Sequence, residues 1–345
     1  MESFGTLSFG HYGPLGGGRE LTAGESLRQA IDLAQGLDEL GVNNISVRVH
    51  HFARQQASPW TLLAAMAATT SRIQVGTGVI DMRYENALYM AEEAASLDLI
   101  AQGRIALGIS RGSPETVVRG YEHFGYTDDD PRGANIAREH TDLFLRAIDG
   151  EGIAERDPNG MFSGGARGMQ RIEPHSPGLR SRIWWGAGSR ETAEWAGRMG
   201  LNLMSSTLLT EADGRPFDAL QAEQLHLYKK AYYDAGHTGT PRTSVSRSIF
   251  PILTAQDRMM FGGGQGSDQI GMIDGFRSTF GKTYAAEPDQ LIEQLRADRA
   301  VMDADTVLIT IPSQMGVDFN LRLMEAFATH VAPALGWKPT AAAGA

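Results

Sequence analysis

The sequence predicts an α/β fold, a single (β/α)8 barrel of the TIM type carrying insertions. Three observations predict it. Eight short β-branched or apolar runs bounded by turn residues read as buried strands, at about 4–10, 45–49, 73–80, 105–110, 182–187, 201–206, 244–253 and 306–311. A stretch with helical spacing follows each run, and strict alternation of strand and helix argues for a parallel sheet. The chain's 345 residues are an ordinary length for one such barrel with insertions. An open, doubly wound sheet would also alternate, but eight is the number of strands at which a sheet closes on a packed interior.

The helical stretches are Gly24–Leu40, Pro59–Thr70, Glu85–Ala101, Asn135–Ile148, Ser189–Met199, Phe217–Ala235, Pro288–Val301 and Val317–His330. Two segments break the alternation. One is 151–181, rich in Gly, Pro and Arg; the other is 254–286, which contains Gly262-Gly263-Gly264-Gln265-Gly266. Long loops in compact domains are commonly functional or disordered. The second follows the seventh strand on the face where barrels carry their chemistry, so it reads either as a mobile lid or as a floppy surface insertion. One domain is expected over 1–337, with 338–345 a flexible tail of small residues.

Composition limits the partners. Apolar residues make up 42% of the chain and charged residues 21%, ordinary for a globular protein with a large core. A net charge of −10 and the lack of a basic run interleaved with aromatics argue against nucleic acid. Without cysteine there is neither a disulfide nor a thiolate zinc site, so redox chemistry would need a bound cofactor. The N-terminal residues lack a basic start followed by an apolar stretch, and no run is long enough to span a membrane, which reads as a cytoplasmic protein.

In a barrel the chemistry lies where strands end and the following loops begin. The second strand ends in Val49-His50-His51-Phe52; adjacent strand residues face opposite ways, so only one histidine can face the mouth, which argues against a metal pair. A structural histidine is the commoner occupant of such a place. The third strand ends in Gly76-Thr77-Gly78-Val79, where glycines either admit a flat ligand or simply pack tightly. The fourth ends in Ser110-Arg111-Gly112, a guanidinium suited to a phosphate or to a surface pair with Glu115. The fifth runs through Gly186-Ala187-Gly188-Ser189 into a helix that contains Thr192. That helix start gathers backbone N–H groups into an anion site, although many barrel helices begin this way for capping alone.

Together these segments resemble the bacterial luciferase-like flavin monooxygenases over about 3–337. The most specific piece is Ala91-Glu92-Glu93-Ala94-Ala95-Ser96-Leu97-Asp98-Leu99-Ile100, followed by Gly103-Arg104-Ile105-Ala106-Leu107-Gly108 and Arg111-Gly112. The pair His50-His51 and Thr70-Ser71-Arg72-Ile73-Gln74-Val75-Gly76-Thr77-Gly78 are also similar to the family's motifs. The resemblance implies that Arg111, Ser189 and Thr192, with the N–H groups of Gly188 and Ser189, hold the phosphate of reduced FMN. The flavin ring would lie near Gly78-Val79, where the family has a cis peptide, and near Met204. His50 would be the catalytic residue, either a general base or a hydrogen-bond partner, and 254–286 the mobile loop.

The resemblance further implies oxygen activation as a peroxide at C4a of the flavin and a small organic substrate. A separate NAD(P)H-dependent flavin reductase would supply reduced FMN, and a homodimer is expected. Val49 departs from the family, many of whose members carry a glutamate there, so a carboxylate orienting His50 must come from elsewhere. Asp81, Arg83 and Tyr84 do not look like an aldehyde-binding surface, which argues against light emission. His11, Tyr12 and Phe250 are further candidates for the pocket lining. A deazaflavin-dependent hydride-transfer enzyme and a non-catalytic flavin-binding protein remain the alternatives.

Overall fold

The computed structural model describes residues 1–14, 20–112, 115–161, 167–263, 266–273 and 276–339. Eight parallel strands form its centre: β1 (Ser3–Ser8), β2 (Asn44–Val47), β3 (Gln74–Asp81), β4 (Ile105–Ser110), β5 (Ile183–Ala187), β6 (Asn202–Ser205), β7 (Thr243–Pro251) and β8 (Thr306–Ile311). Each pairs with its neighbour in sequence, and β8 returns to β1. The β6–β7 seam, Leu203↔Thr243, Met204↔Ser244 and Ser205↔Val245, completes a closed barrel. The (β/α)8 expectation is therefore met.

Eight helices cover the barrel: α1 (Ala23–Glu39), α2 (Pro59–Thr69), α3 (Ala87–Ile100), α4 (Ala134–Ile148), α5 (Arg190–Arg198), α6 (Phe217–Asp234), α7 (Pro288–Ala297) and α8 (Val317–His330). Thr22 caps α1 in a reciprocal capping box with Glu25, and Asn86 caps α3 through the N–H groups of Leu88 and Tyr89. The apolar faces of α1, α4 and α8 meet the outward side chains of the strands in one continuous core that includes Leu37, Ile45, Ile80, Phe144 and Phe327. Each such side chain contributes roughly 1.5–3 kcal/mol by leaving water. Trp337 closes the barrel's lower end on Phe4 at 4.7 Å, and its Nε1 donates to Asn43.

Three boundaries differ from the sequence reading. The second strand ends at Val47, so His50 and His51 lie beyond it in a bend instead of alternating on a strand. The stretch 288–301 is broken at Asp298, whose carboxylate leaves α7 to cap a short helix, Arg299–Asp303. Among its described residues the insertion at 254–286 holds helix Ala255–Phe261, an antiparallel hairpin of Gln269–Ile273 and Phe276–Phe280, and strand Thr283–Ala286 paired parallel to β7. The expected tail falls largely on 340–345, outside the described residues; Lys338 and Pro339 are exposed. No helix among the described residues is long and apolar enough to cross a membrane.

Candidate active site

The fifth strand delivers the turn that the sequence singles out. Ser189 is extended (φ −143°, ψ 161°) and caps α5, its Oγ accepting from the N–H of Thr192 at 3.3 Å and lying 3.0 Å from Thr192 Oγ1. The first turn of α5 thus presents two hydroxyls beside the positive end of its dipole. At Gly188 a side chain would have its nearest neighbours at 3.9 Å, so the backbone is open to an approaching ligand. Its carbonyl accepts from the N–H of Thr210 at 2.8 Å, which ties the turn to the next loop. Arg111 follows the end of β4, the strand paired with β5, so guanidinium and turn stem from adjacent strand ends.

Below this rim the part of the barrel between the third and sixth strands is shaped by glycines. The Gly78–Val79 peptide is cis, as the family resemblance implies, and the β3–β4 register shifts between Thr77 and Ile80. A methyl group on Gly108 would stand 2.7 Å from Met204 Sδ and 3.1 Å from Val79 Cγ1; one on Gly186 would stand 2.9 Å from Val79 Cγ1. Val79 and Met204 meet there above Ala106 and Trp184. Those glycines make room for Val79 and Met204 to meet, and the two side chains form an apolar cradle of the kind a planar ring can lie on.

The histidines sit on another side of the mouth. Arg48 donates to His50 Nε2 from Nε at 3.0 Å and from Nη2 at 2.8 Å. A guanidinium can only donate, so Nε2 accepts and the neutral ring carries its proton on Nδ1. Burial, reinforced by the charge of Arg48, lowers the His50 pKa to about 4. His51 stacks on Tyr84 with ring centres 4.1 Å apart, and burial, helped by Arg83, lowers it to about 4 as well. Both rings are neutral near pH 7. Where a carboxylate from elsewhere was expected beside His50, the guanidinium of Arg48 bonds its ring, while Val49 is buried in the core. No cluster of three possible metal ligands occurs among the described residues.

Between these two sides lies a charged group that the sequence reading named only as a departure from its relatives. Arg83 forks onto buried Asp81, with Nε 2.9 Å from Oδ1 and Nη2 2.5 Å from Oδ2. The carboxylate fills the space beside Gly112, and the charge of Arg111 acts on it. Glu115 does not form the surface pair with Arg111: both of its oxygens are covered and accept no hydrogen bond. Burial, then the neighbouring Asp81, raises its pKa to about 7 against the pull of Arg83 and Arg48. A raised folded pKa favours the protonated acid, so stability is lost as pH climbs from about 4.5 to about 7. Glu115→Gln should therefore stabilise the protein by about 1 kcal/mol at pH 8, discounted for the half-exposed side chain, and leave it unchanged at pH 4. Equal melting shifts at both pH values would contradict this.

The remaining candidates lie at the edges. His11 stacks on Phe9 and bonds Gln55, Tyr12 bonds the Arg54 carbonyl through its backbone, and Phe250 stacks on Phe261 of the insertion at 4.2 Å. Arg48 and Glu115 as site residues were missed. An arginine one residue past a buried strand and two before a histidine was the available signal for the first.

Residues 4–258 match the family described as luciferase-like monooxygenase. Among curated relatives, 4-hydroxyprotoasukamycin monooxygenase of Streptomyces nodosus subsp. asukaensis is 37% identical over 92 residues, 26% of this chain and 25% of that protein. The chain thus matches about a quarter of that relative's length. Three solved structures share the fold. A monooxygenase from Streptomyces bottropensis has a TM-score of 0.71 at 22% identity, covering 96% of this chain and 99% of the other. The oxygenating constituent of 3,6-diketocamphane monooxygenase of Pseudomonas putida, solved with FMN, has a TM-score of 0.68 at 17% identity and covers 96% and 99%. An F420-dependent secondary alcohol dehydrogenase has a TM-score of 0.62 at 15% identity and covers 97% and 99%. The family match spans most of the barrel and includes every strand that carries the cradle and the Ser189 turn, and on that ground the chain belongs to the luciferase-like monooxygenases.

Proposed function

We propose that the protein is an FMN-dependent monooxygenase that acts on a small organic substrate at the mouth of the barrel. The observation that carries this reading is the combination of an open, hydroxyl-lined helix start at Gly188–Thr192 with the glycine cradle over Val79 and Met204. The two fit the two ends of a flavin mononucleotide, its phosphate and its ring. Reduced flavin, when bound, would supply the electrons for oxygen activation.

The chain's own residues have distinct tasks in this reading. Ser189 and Thr192 offer hydroxyls, and Arg111 a planar fork, to the phosphate. Val79 and Met204 support one face of the ring and keep water from it. His50 is neutral at working pH, with Nε2 accepting from Arg48 and its proton on Nδ1. With a pKa near 4 it is a poor general base at neutral pH. Reduced flavin would come from a separate NAD(P)H-dependent reductase, and a cytoplasmic homodimer is the expected assembly.

Titration with FMN, riboflavin and the deazaflavin F420 tests the reading. Wild type should bind FMN more tightly than riboflavin, and Arg111→Ala should weaken FMN by about 10- to 100-fold, the worth of a charge-assisted hydrogen bond, without changing riboflavin. Binding of F420 alone would move the function to hydride transfer, as in the F420-dependent neighbour.

A further inference from the structure

A buried polar chain runs from the far side of the barrel to the Ser189 turn. It starts at Asp298, which accepts from Arg247 Nε at 2.7 Å and Nη2 at 3.0 Å and from the hydroxyl of Tyr284 at 2.6 Å. Arg247 Nη1 donates to Gln221 Oε1 at 2.6 Å, and Gln221 Nε2 donates to Ser205 Oγ at 2.8 Å. Ser205 Oγ donates to Gln224 Oε1, and Gln224 Nε2 donates to the carbonyls of Ser189 at 3.0 Å and Ala187 at 3.3 Å. Gln221 and Gln224 are fully buried, on the face of α6 that also carries Leu220 and Leu225.

The direction of this chain is fixed at its charged end. Because a guanidinium has no acceptor, Gln221 must turn its carbonyl to Arg247 and its amide to Ser205. The serine hydroxyl then has its proton for Gln224, and Gln224 is left with only N–H groups to present to the turn. In a trans peptide the C=O and N–H bonds point opposite ways. The Ala187 carbonyl also accepts from the N–H of Ser206 at 3.0 Å, and the Ser189 carbonyl from that of Ala193 at 3.1 Å; with Gln224 as a further tether, the N–H groups of Gly188 and Arg190 are aimed away from α6. The N–H of Arg190 is engaged by Glu211 Oε2 at 3.3 Å, which leaves the Gly188 N–H as the donor on the phosphate side.

We infer that Gln224 is a positioning residue for the cofactor phosphate: through the one-way chain Arg247–Gln221–Ser205–Gln224 it helps hold the Ala187–Gly188 peptide plane so that the N–H of Gly188 faces the anion. This rests on the phosphate reading of that turn. No such residue is needed for the ring, so the effect is confined to the phosphate.

The test is fluorescence titration of the full chain with FMN and riboflavin, comparing wild type with Gln224→Met, which keeps length but donates nothing, and with Ser205→Ala, which removes the link that orients Gln224. Gln224→Met should raise the FMN Kd at least tenfold and change the riboflavin Kd less than twofold; Ser205→Ala should do the same to a smaller degree. Parallel weakening of both ligands, or an unchanged FMN preference in both variants, overturns the inference and leaves the phosphate site intact. A wild type that binds riboflavin as tightly as FMN overturns the phosphate reading and the inference with it.

Discussion

Asp298→Ala should destabilise the protein by roughly 3–5 kcal/mol, the usual cost of leaving a buried charge without its partner. Arg247 is 3% exposed and has its Nε and Nη2 committed to this carboxylate, and the backbone around it is barrel wall that cannot open to water. The same carboxylate caps helix Arg299–Asp303 and accepts from Tyr284, so one truncation removes three functions. At about 1.4 °C per kcal/mol for a chain of 345 residues, the expected fall in melting temperature is about 4–7 °C. Arg247→Met combined with Asp298→Leu should recover much of the loss, because no uncompensated charge stays behind. A loss below about 1 kcal/mol in Asp298→Ala would mean that the pair is solvated.

Gly112→Ala should be nearly as costly and should also disturb the site. The residue has φ +98°, a conformation that costs an L-residue roughly 1–2 kcal/mol, and a methyl group there would lie 2.0 Å from Asp81 Oδ2. The carboxylate cannot step aside cheaply, because the Arg83 fork and backbone N–H hold it in place. The expected loss is about 3 kcal/mol or more, with FMN affinity falling as Arg111 shifts beside the displaced pair. Asp81→Ala added to Gly112→Ala removes the clash and should weaken the protein less than the two single losses summed. Thermal melting and FMN titration of the four proteins measure both effects; a singly substituted Gly112→Ala with wild-type melting would refute the crowding.

Much of this architecture was legible because its signals are local. The runs 105–110 and 306–311 coincide with β4 and β8, and Val317–His330 with α8, since apolar periodicity and turn residues mark such elements from within. Ser189 and Thr192 were legible for the same reason: a cap is a matter of adjacent residues. The family resemblance, not periodicity, supplied the cis peptide at Gly78–Val79.

What escaped is tertiary. The break at Asp298 arises because a carboxylate is drawn to Arg247, 51 residues away. The insertion carries its own hairpin, yet glycine-rich composition read as a loop. Arg48 was passed over because its bond to His50 exists only once the chain bends past Val47. Gln221 and Gln224 did leave a trace, as two amides three apart among the apolar positions of α6.

The hairpin of the insertion does not stand alone. Phe280 and Thr279 pair antiparallel with Leu208 and Leu209, and Thr210 bonds the carbonyl of Gly188 at 2.8 Å. Backbone bonds thus lead without interruption from the insertion to the turn proposed to hold phosphate. Thermodynamic linkage works equally in both directions. Whatever free energy a ligand at Gly188 lends to the docked hairpin, a molecule pressing on the exposed Ile270 and Met272 of that hairpin returns to the ligand. The insertion is in this sense part of the frame that sets the turn, through the segment Leu208–Thr210.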